Sequence, residues 1–380
     1  MLVYLVAGEA SGDALGARLM AALKELSGGR VAFAGIGGPH MAEEGLDSLF
    51  PMTDLAVMGL VEVVPRAPAL LRRMHQTVRD IRRRGPAILV TIDSPDFAYR
   101  VARRLRDTAM PRLHYVAPTV WAWRSRRVRT FRRSHDHVLA LLPFEPPYFQ
   151  VAGLPCSHVG HPVVESGLEG GDRAAFRGRH GIAADRPVLA VMPGSRVGEV
   201  KRLLPVFLLA LGRMRIRFPL LHAVVPTVPA VAEMVSAADW PLPAIVVGGE
   251  EKADAFAASD AAIAASGTAT LELALAGVPH LIAYRVNPAT ALAVRALIRV
   301  PYVNMINLVL DRPVVPELLQ SRCTPARVAE AATRLLEDPW ARDEQRRQFA
   351  LAMRELGRDG APPSRRAAQI ILDIAQADLL

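Results

Sequence analysis

Short apolar runs and longer stretches of helical period alternate along most of the chain. The apolar runs are continuous, which is typical of strands covered on both faces in a parallel sheet. They predict strands at residues 3–7, 31–35, 88–92, 113–116 and 138–142, and again at 188–192, 222–225, 244–247, 261–265 and 280–283. The helical period predicts helices at residues 14–26, 70–84, 97–107, 199–217, 268–276 and 325–337. This alternation predicts a doubly wound α/β fold.

The alternation of strand and helix patterns is interrupted at two places, and these interruptions predict domain boundaries. Residues 159–173 are rich in Gly, Pro, Glu and Asp, so we expect one Rossmann-like domain at 1–165 and a second at 166–358. A second break, GRDGAPP at 357–363, precedes a final helical stretch. We expect residues 359–380 to form a helix that crosses back onto the first domain.

The composition is apolar enough that a membrane-spanning segment has to be considered. Of 380 residues, 51% are hydrophobic, and the mean hydropathy is +0.20. No apolar stretch reaches the roughly 18 residues that a spanning helix needs, and the first residues lack the basic lead of a signal peptide. The two cysteines, Cys156 and Cys323, are too few for a disulfide framework. The sequence therefore predicts a cytosolic chain that neither spans a membrane nor is secreted.

The charge is strongly positive, at +9, but its composition weakens it as a clue. Lys24, Lys201 and Lys252 are the only lysines among 46 basic residues, and so strong an arginine bias is typical of coding composition. A basic chain can bind nucleic acid, an anionic membrane surface or a phosphorylated substrate. Nucleic acid ranks last, because the sequence has neither zinc-finger spacing nor an aromatic RNA-binding motif.

Two motifs follow predicted strands of the first domain. Residues 8–13, GEASGD, stand where ligands bind in open α/β sheets, which makes Ser11 and Gly12 candidate binding residues. The motif lacks the spacing of a dinucleotide site, and the alternative is that Ser11 or Asp13 merely caps the next helix.

The second motif, TIDSPDF at residues 91–97, carries two carboxylates. Asp96 is placed to cap the helix predicted from Phe97. Asp93 follows directly from an apolar strand and is therefore the better candidate for a general base toward a hydroxyl.

A third first-domain segment joins aromatic and basic residues. Trp121 and Trp123 precede an arginine-rich stretch at 124–133. The two indoles either line an acceptor or lipid-headgroup surface or are half-buried beside a solvated basic helix, and composition does not separate these alternatives.

In the second domain, MPGSRVGE at residues 192–199 runs from a strand end to a helix start. Gly194 and Gly198 permit close backbone approach, the helix start favours anions, and Arg196 adds a forked donor. The motif is a candidate diphosphate site, although it lacks the Walker ending. The alternative is an ordinary tight turn.

The most specific motif is SGTATLE at residues 266–272. Ser266, Gly267 and Thr268 present a second helix start to phosphate after a strand. Glu272 stands one turn further on, where its two oxygens can accept hydrogen bonds from a ribose diol. Helix capping would explain Thr268 alone, but not the pairing with the 192–199 motif.

The sequence predicts no metal site and no cofactor. His158 and His161 lack a carboxylate partner at metal-site spacing, and no Asp-x-Asp occurs anywhere in the chain. Glycosyl transfer without a metal needs helix dipoles and arginine to stabilise a leaving diphosphate, and the chain has both.

Taken together, the motifs resemble the lipid A disaccharide synthases, a family of membrane-surface glycosyltransferases of Gram-negative bacteria. The resemblance covers essentially the whole chain. It rests on AGEASGD at 7–13, AVMGLVEV at 56–63, IDSPDF at 92–97, VWAWR at 120–124, LPFE at 142–145, PGSR at 193–196 and ASGT at 265–268.

The resemblance implies a GT-B architecture, in which two Rossmann-like domains face each other across a cleft, with the acceptor domain first and the nucleotide-sugar domain second. It implies that UDP-2,3-diacylglucosamine donates its sugar, with inversion, to 2,3-diacylglucosamine 1-phosphate (lipid X). Asp93 matches the family's candidate base, Arg196 and Asn307 match residues that the family needs, and Glu272 matches the ribose contact. The partners would be these two substrates, with no nucleic acid.

The resemblance also implies a peripheral location on the cytoplasmic face of the inner membrane. We expect residues 55–84, which include Leu70, Leu71 and Met74 beside arginines, to meet its anionic surface. The alternative is an ordinary helix that faces the core and has a solvated basic face. The resemblance allows a homodimer with exchanged C-terminal parts. Two alternatives remain open: a UDP-sugar 2-epimerase of the same architecture, and a non-catalytic UDP-sugar-binding protein.

Overall fold

The computed structural model describes residues 1–55, 60–121, 127–287 and 300–377, with the side chains of residues 60–67 outside the description. The chain divides into two compact units. The first contains Met1–Pro162 and Leu356–Leu380, and the second contains Val163–Glu355.

The first unit is built on a parallel sheet of six described strands. They are β1 (Leu2–Ala7), β2 (Ala32–Ile36), β3 (Ile88–Ile92), β4 (Arg112–Tyr115), β5 (His137–Ala140) and β6 (Cys156–His158). Their order across the sheet is β2-β1-β3-β4-β5-β6. The order reverses between β1 and β3, and crevices that bind ligands form at such a switch point, outside the carboxyl ends of the strands.

Seven described helices accompany this sheet. They are α1 (Ala10–Ser27), α2 (Pro39–Glu43), α3 (Leu60–Arg84), α4 (Pro95–Arg103), α5 (Arg127–Arg132), α6 (Pro146–Gln150) and the C-terminal helix, which is numbered α15 (Pro363–Ala377) in chain order. Helix α15 packs along α1, where Ala367, Ala368 and Ile371 join the same buried cluster as Leu19 and Leu23.

The second unit repeats the plan with another parallel sheet of six described strands. They are β7 (Val188–Met192), β8 (His222–Pro226), β9 (Ala244–Val247), β10 (Ala261–Ala264), β11 (His280–Tyr284) and β12 (Glu317–Leu319). Their order, β12-β11-β10-β7-β8-β9, is that of the dinucleotide-binding doubly wound fold, and its switch point lies between β7 and β10.

Eight described helices cover the second sheet. They are α7 (Arg173–Arg179), α8 (Val197–Arg217), α9 (Pro229–Ser236), α10 (Lys252–Ala258), α11 (Ala269–Leu275), α12 (Met305–Leu310), α13 (Pro325–Glu337) and α14 (Pro339–Glu355). Short 3-10 helices lie at Met52–Asp54, Pro162–Glu165, Leu168–Gly170 and Gln320–Arg322.

Strands β3, β7 and β10 are buried at every position, and β1 is buried at all but its first residue. Burial on both faces is why these strands read as continuous apolar runs. The predicted α/β class is confirmed, and all ten predicted strands are present within one or two residues. The structure adds β6 and β12, edge strands of three residues each that the pattern missed.

Helix boundaries differ more from the prediction than strand boundaries do. Helix α1 begins at Ala10, four residues before the predicted start, so Ser11 and Gly12 lie in its first turn. The alternative that Ser11 or Asp13 caps α1 is wrong, because the N-cap is Glu9, with no side-chain hydrogen bond. Asp96 is not a cap either, since α4 begins at Pro95 after Ser94.

Among the described residues, no helix combines the length and the apolar character that crossing a membrane requires.

Candidate active site

The switch point of the first sheet brings three predicted residues together. Ala7 at the end of β1 pairs with Ile92 at the end of β3, so the segments that follow them are neighbours. The Ser11 hydroxyl donates to Asp93 Oδ2 over 3.2 Å. A Cβ on Gly12 would lie 3.4 Å from the Ile92 carbonyl oxygen and 3.7 Å from the Asp93 Cβ. The first turn of α1 therefore lies in close contact with the end of β3.

Asp93 is held in a conformation that few non-glycine residues adopt. Its φ is +54° and that of Ser94 is +46°, both in the left-handed region. The Asp93 amide still donates to the Tyr115 carbonyl on β4 over 2.9 Å, and the Ser94 amide donates to Asp93 Oδ1 over 2.8 Å. Each left-handed residue costs on the order of 1–3 kcal/mol, and such strain clusters at functional sites. The sharp turn leaves the carboxylate half-buried at the strand end.

The two other carboxylates of these motifs have structural partners. Asp13 is buried and accepts from the backbone amides of Gly38, His40 and Met41 at 2.8–3.0 Å, so it caps the start of α2 rather than that of its own helix. Asp96 is exposed on α4 and pairs with Arg127.

Glu145 is a functional candidate that the sequence argument left without a role. Its carboxylate accepts from the Trp121 indole Nε1 over 3.0 Å and from the Leu142 amide over 3.0 Å. Burial raises the pKa of Glu145 to about 7. Trp121 meets Phe144 edge-on, with ring centroids 5.1 Å apart. The hydrogen bond between Trp121 and Glu145 connects the segment after β4 to the segment after β5. Trp123 and Arg124, which the sequence analysis grouped with Trp121, lie outside the described residues.

The second unit has a cavity of about 310 Å³ at the switch point of its own sheet. Segments following β7, β8, β9 and β10 form its wall. The lining residues are Met192, Gly194, Ser195, Glu199, Pro226, Thr227, Val228, Gly249, Lys252, Ala265, Ser266, Gly267, Thr268, Ala269 and Glu272. Four of the predicted site residues, Ser266, Gly267, Thr268 and Glu272, are among them.

Arg196 stands at the rim rather than in the wall. It is the N-cap of α8 and is largely exposed, with its guanidinium 3.8 Å from the Glu199 carboxylate. Glu199 does line the cavity and accepts from the Tyr284 hydroxyl over 3.0 Å. Burial and the neighbouring Glu199 charge raise the pKa of Tyr284. Glu199 was missed as a functional residue, although it closes the 192–199 motif.

Gly194 shows why this motif needs glycine. Its φ is +120°, and a Cβ there would lie 2.8 Å from Glu199 Oε2. Any larger residue would push the chain away from Glu199, so only glycine lets this turn lie close against the start of α8.

Glu272 has a basic partner that the sequence argument missed. Lys252, the first residue of α10, places its ammonium 2.5 Å from Glu272 Oε2. The rarity of lysine in this chain, three of 46 basic residues, was the available clue. Thr268 is the N-cap of α11 but makes no capping side-chain hydrogen bond, so its hydroxyl is not committed to the helix.

Asn307 lies apart from the described cavity wall and is fully buried on α12. Its Oδ1 accepts from the amides of Val314 and Val315, and its Nδ2 donates to the Val315 carbonyl and to Glu317 Oε1, all at 2.8–2.9 Å. All four hydrogen-bonding positions of the amide are thus used within the unit.

The described residues contain no group of three or more histidine, cysteine or carboxylate side chains placed to hold a metal ion.

Comparison with known proteins identifies relatives over nearly the whole chain. The family model described as lipid-A-disaccharide synthetase matches residues 3–371. A lipid-A-disaccharide synthase of Rhodospirillum centenum is 57% identical over 379 residues, which is 98% of this chain and 94% of that protein. One from Paramagnetospirillum magneticum is 52% identical and covers 98% of this chain and 97% of its own.

Solved structures share the fold at low identity. MurG of Acinetobacter baumannii is 16% identical, with a TM-score of 0.58 over 98% of this chain and 99% of its own. The UDP-GlcNAc 2-epimerase of Neisseria meningitidis, bound to UDP-GlcNAc, is 12% identical, with a TM-score of 0.60 over 99% and 100%. Glycosyltransferases and epimerases thus share this pair of Rossmann-like domains, and fold alone does not separate the two activities.

Proposed function

The chain belongs to the lipid-A-disaccharide synthetase family, and we propose that it transfers the sugar of UDP-2,3-diacylglucosamine to 2,3-diacylglucosamine 1-phosphate (lipid X). It is a hexosyltransferase that forms the disaccharide of lipid A. The products of the proposed reaction are the β-1,6-linked tetraacyl disaccharide 1-phosphate and UDP, with inversion at the donor carbon.

One observation carries the assignment of roles within the chain. In each unit, the polar side chains of the sequence motifs gather at the switch point of the sheet. We assign residues 1–165 to acceptor binding and residues 166–358 to the UDP-sugar. The cavity with two carboxylates and three short glycine-containing turns belongs to the second of these, and the strained Asp93 belongs to the first.

The chemistry assigned to Asp93 is proton removal. The acceptor 6-hydroxyl has a pKa far above 7, so its proton must leave as its oxygen attacks the donor carbon. The Asp93 carboxylate takes that proton while the bond between the donor carbon and UDP breaks, and the bonding electron pair leaves with UDP. The hydrogen bonds from Ser11 and the Ser94 amide hold the carboxylate in one orientation for this step.

The second unit is assigned the task of stabilising UDP as it leaves. Ser266, Gly267 and Thr268 offer backbone and hydroxyl donors in the cavity wall, and Arg196 at the rim supplies positive charge. Glu272 is assigned to the ribose hydroxyls. No metal ion or cofactor enters this scheme, so we expect turnover to continue in EDTA.

The acyl chains of both substrates suggest that the enzyme works at an anionic membrane surface, as a peripheral protein on the cytoplasmic face of the inner membrane. Leu71 supports this assignment, because its side chain is 42% exposed. It lines a depression of about 530 Å³ with Tyr99 and four arginines, Arg100, Arg103, Arg104 and Arg106. A homodimer with exchanged C-terminal parts remains part of the proposal, to be tested by light scattering.

The decisive experiment incubates the purified full chain with UDP-2,3-diacylglucosamine, with and without lipid X, and detects products by mass spectrometry. Disaccharide 1-phosphate that requires both substrates is the expected result. An epimerase would convert the donor alone into an isomer of the same mass, which chromatography before the mass measurement separates, and a binding protein would yield no product. Either of those outcomes would contradict the proposed transfer reaction.

A further inference from the structure

Lys252 sits on a rigid support beside the second-unit cavity. It begins α10 directly after the turn that contains Gly249, which itself lines the cavity. The ammonium lies 5.7 Å from the centroid of the Phe256 ring, one turn along the same helix. Phe256 is fully buried in one cluster with Leu273 of α11. The helix that carries Lys252 and the helix that carries Glu272 are therefore packed on a shared core, and their side chains meet above it.

The contact between the two side chains is short and partly shielded from water. Lys252 Nζ lies 2.5 Å from Glu272 Oε2, and each side chain is 24% exposed. The other carboxylate oxygen, Oε1, has no partner among the described residues. Lys252 thus fixes one oxygen of Glu272 and leaves the second one for another donor.

Charge balance gives this pair a further consequence. Glu199 and Glu272 are the two carboxylates in the described wall of the cavity, and Lys252 is the only basic residue there. Glu199 has Arg196 at 3.8 Å, whereas Glu272 has Lys252. An uncompensated carboxylate beside a phosphate charge would repel it, and the repulsion is stronger where the two charges are shielded from water. A diphosphate can enter beside Glu272 only if that carboxylate is neutralised.

We propose that Lys252 is a positioning residue for the nucleotide. Its ammonium orients Glu272 so that Oε1 accepts a ribose hydroxyl, and it cancels the carboxylate charge that would otherwise repel the diphosphate. This inference rests on the proposed function, in which Glu272 meets the ribose. It adds that selection of ribose over deoxyribose depends on a lysine that does not itself touch the sugar.

The test compares the binding of UDP and 2′-deoxy-UDP to the full chain by calorimetry. The wild type should prefer UDP by about tenfold or more, because a hydrogen bond to a charged group contributes at least that factor. E272Q should lose most of the preference. K252M should lose it to a similar extent and bind both nucleotides more weakly, while K252R should restore both properties.

K24M is the matched control. Lys24 forms the same kind of pair with Glu44 in the other unit, at 2.7 Å, although this pair is more exposed. Its loss should leave the preference for UDP unchanged. Thermal melting of each variant checks the fold. If K252M melts far below the wild type, K252Q supplies the comparison, because it removes the charge but keeps a polar end.

The outcomes separate the two levels of the proposal. If the wild type shows no preference, or E272Q retains it, the ribose assignment of Glu272 is wrong and the role of Lys252 is lost with it. If E272Q loses the preference but K252M and K252Q keep it, only the inference about Lys252 fails. Equal weakening of both nucleotides with the preference intact would mean that Lys252 binds phosphate directly, and it would also overturn the positioning role.

Discussion

Asp93 and Ser94 occupy consecutive left-handed conformations at the end of β3. Because aspartate tolerates this region better than most residues, the turn keeps a carboxylate where glycine would fold more easily. Hydrogen bonds to Tyr115 and Ser11 offset the free-energy cost of this turn and hold it in place. This arrangement favours a role for the side chain over a role for the turn alone.

Replacing Asp93 by asparagine should keep the fold and UDP binding but remove the proton acceptor. Turnover should fall by on the order of 10²- to 10⁴-fold, the range typical of general-base catalysis. The measurement is kcat with both substrates saturating. Asp96→Asn is the control, since Asp96 is exposed three residues further on and is paired with Arg127. Near-normal turnover in a folded Asp93→Asn protein would remove Asp93 from the mechanism.

The position of a candidate residue in the fold was predictable from the sequence where its motif follows a strand, and less predictable elsewhere. Asp93, Ser266 and Glu272 follow buried strands, and the topology places such positions at one edge of a sheet. Lys252 and Glu145 could not be assigned in this way, because their partners Glu272 and Trp121 are 20 and 24 residues away along the chain. A pairing of that kind depends on how neighbouring segments fold.

Asn307 illustrates a different limit. Resemblance marks it as needed, but the structure commits its amide to Val314, Val315 and Glu317. Glu317 also accepts from the amides of Val303 and Asn304. Asn307 therefore fixes the course of the chain beside edge strand β12. Sequence motifs cannot distinguish such a structural amide from one that binds a ligand.

At the scale of elements, the first-unit site depends on how closely the segment after β1 approaches the segment after β3. A Cβ on Gly8 would lie 2.7 Å from both the Cβ and the Oγ of Ser94. No side chain fits there without moving one of the two segments. Gly8 therefore determines the spacing that allows Ser11 to reach Asp93.

Gly8→Ala should separate these segments by several tenths of an ångström or more and weaken the hydrogen bond between Ser11 and Asp93. We expect turnover to fall at least about tenfold, because small displacements of catalytic groups are costly. UDP affinity should be unchanged, since UDP is assigned to the other unit. Gly170→Ala is the control, because a Cβ there meets nothing within 4 Å. Equal turnover in the two variants would contradict the spacing argument.

Fully buried strands were predicted reliably, whereas the shortest edge strands were missed. Strand β3, with five buried residues, was predicted to the residue, whereas β6 and β12 have three residues each and give no recognisable period. The start of α1 was missed because Ala10, Ser11 and Gly12 resemble a turn by composition. Contact with β3, and not local propensity, makes them helical.

At the scale of the whole molecule, the proposed membrane association is assigned to a surface of the first unit. The segment predicted to meet the membrane, residues 55–84, includes Met74, which is 1% exposed and packs in the core with Ile81. The prediction is wrong for Met74. Leu70 is also partly packed against that core, which leaves Leu71 as the exposed apolar candidate among the described side chains of the segment.

Leu71→Ser should reduce binding to vesicles of anionic phospholipid by up to about tenfold, because burying a whole leucine contributes about 1.5–3 kcal/mol and Leu71 is 42% exposed. The melting temperature should change little. Sedimentation with vesicles at low and high salt measures the change in binding. Salt should weaken the electrostatic contribution that the arginines around Leu71 make to vesicle binding. Leu209→Ser is the control, since Leu209 is exposed on α8 of the second unit. If both variants bind like the wild type, Leu71 does not meet the membrane.

Buried histidines connect the stability of both units to pH. Burial lowers the pKa of His114 to about 3 and that of His161 and His280 to about 4, and it lowers the pKa of His135 well below 6.5. These rings are neutral in the folded protein and gain a proton when they are exposed. Glu145 acts in the opposite direction, because its folded pKa of about 7 favours the protonated acid.

The free energy of unfolding should therefore fall as the pH drops from 6.5 toward 4. Each such histidine has a folded pKa below its unfolded value, so the stability that it contributes is present above pH 6.5 and is lost by about 1.4 kcal/mol per pH unit below it. Glu145 offsets about one histidine between pH 4.5 and 7, because the folded state there holds a proton that the unfolded state has released. Melting temperatures at pH 7.5, 6.5, 5.5 and 5.0 measure the decline. His280→Asn keeps a donor toward the Val278 carbonyl and should make the decline shallower, whatever its effect at pH 7.5. If its melting curve runs parallel to that of the wild type across this range, His280 is not one of the groups responsible.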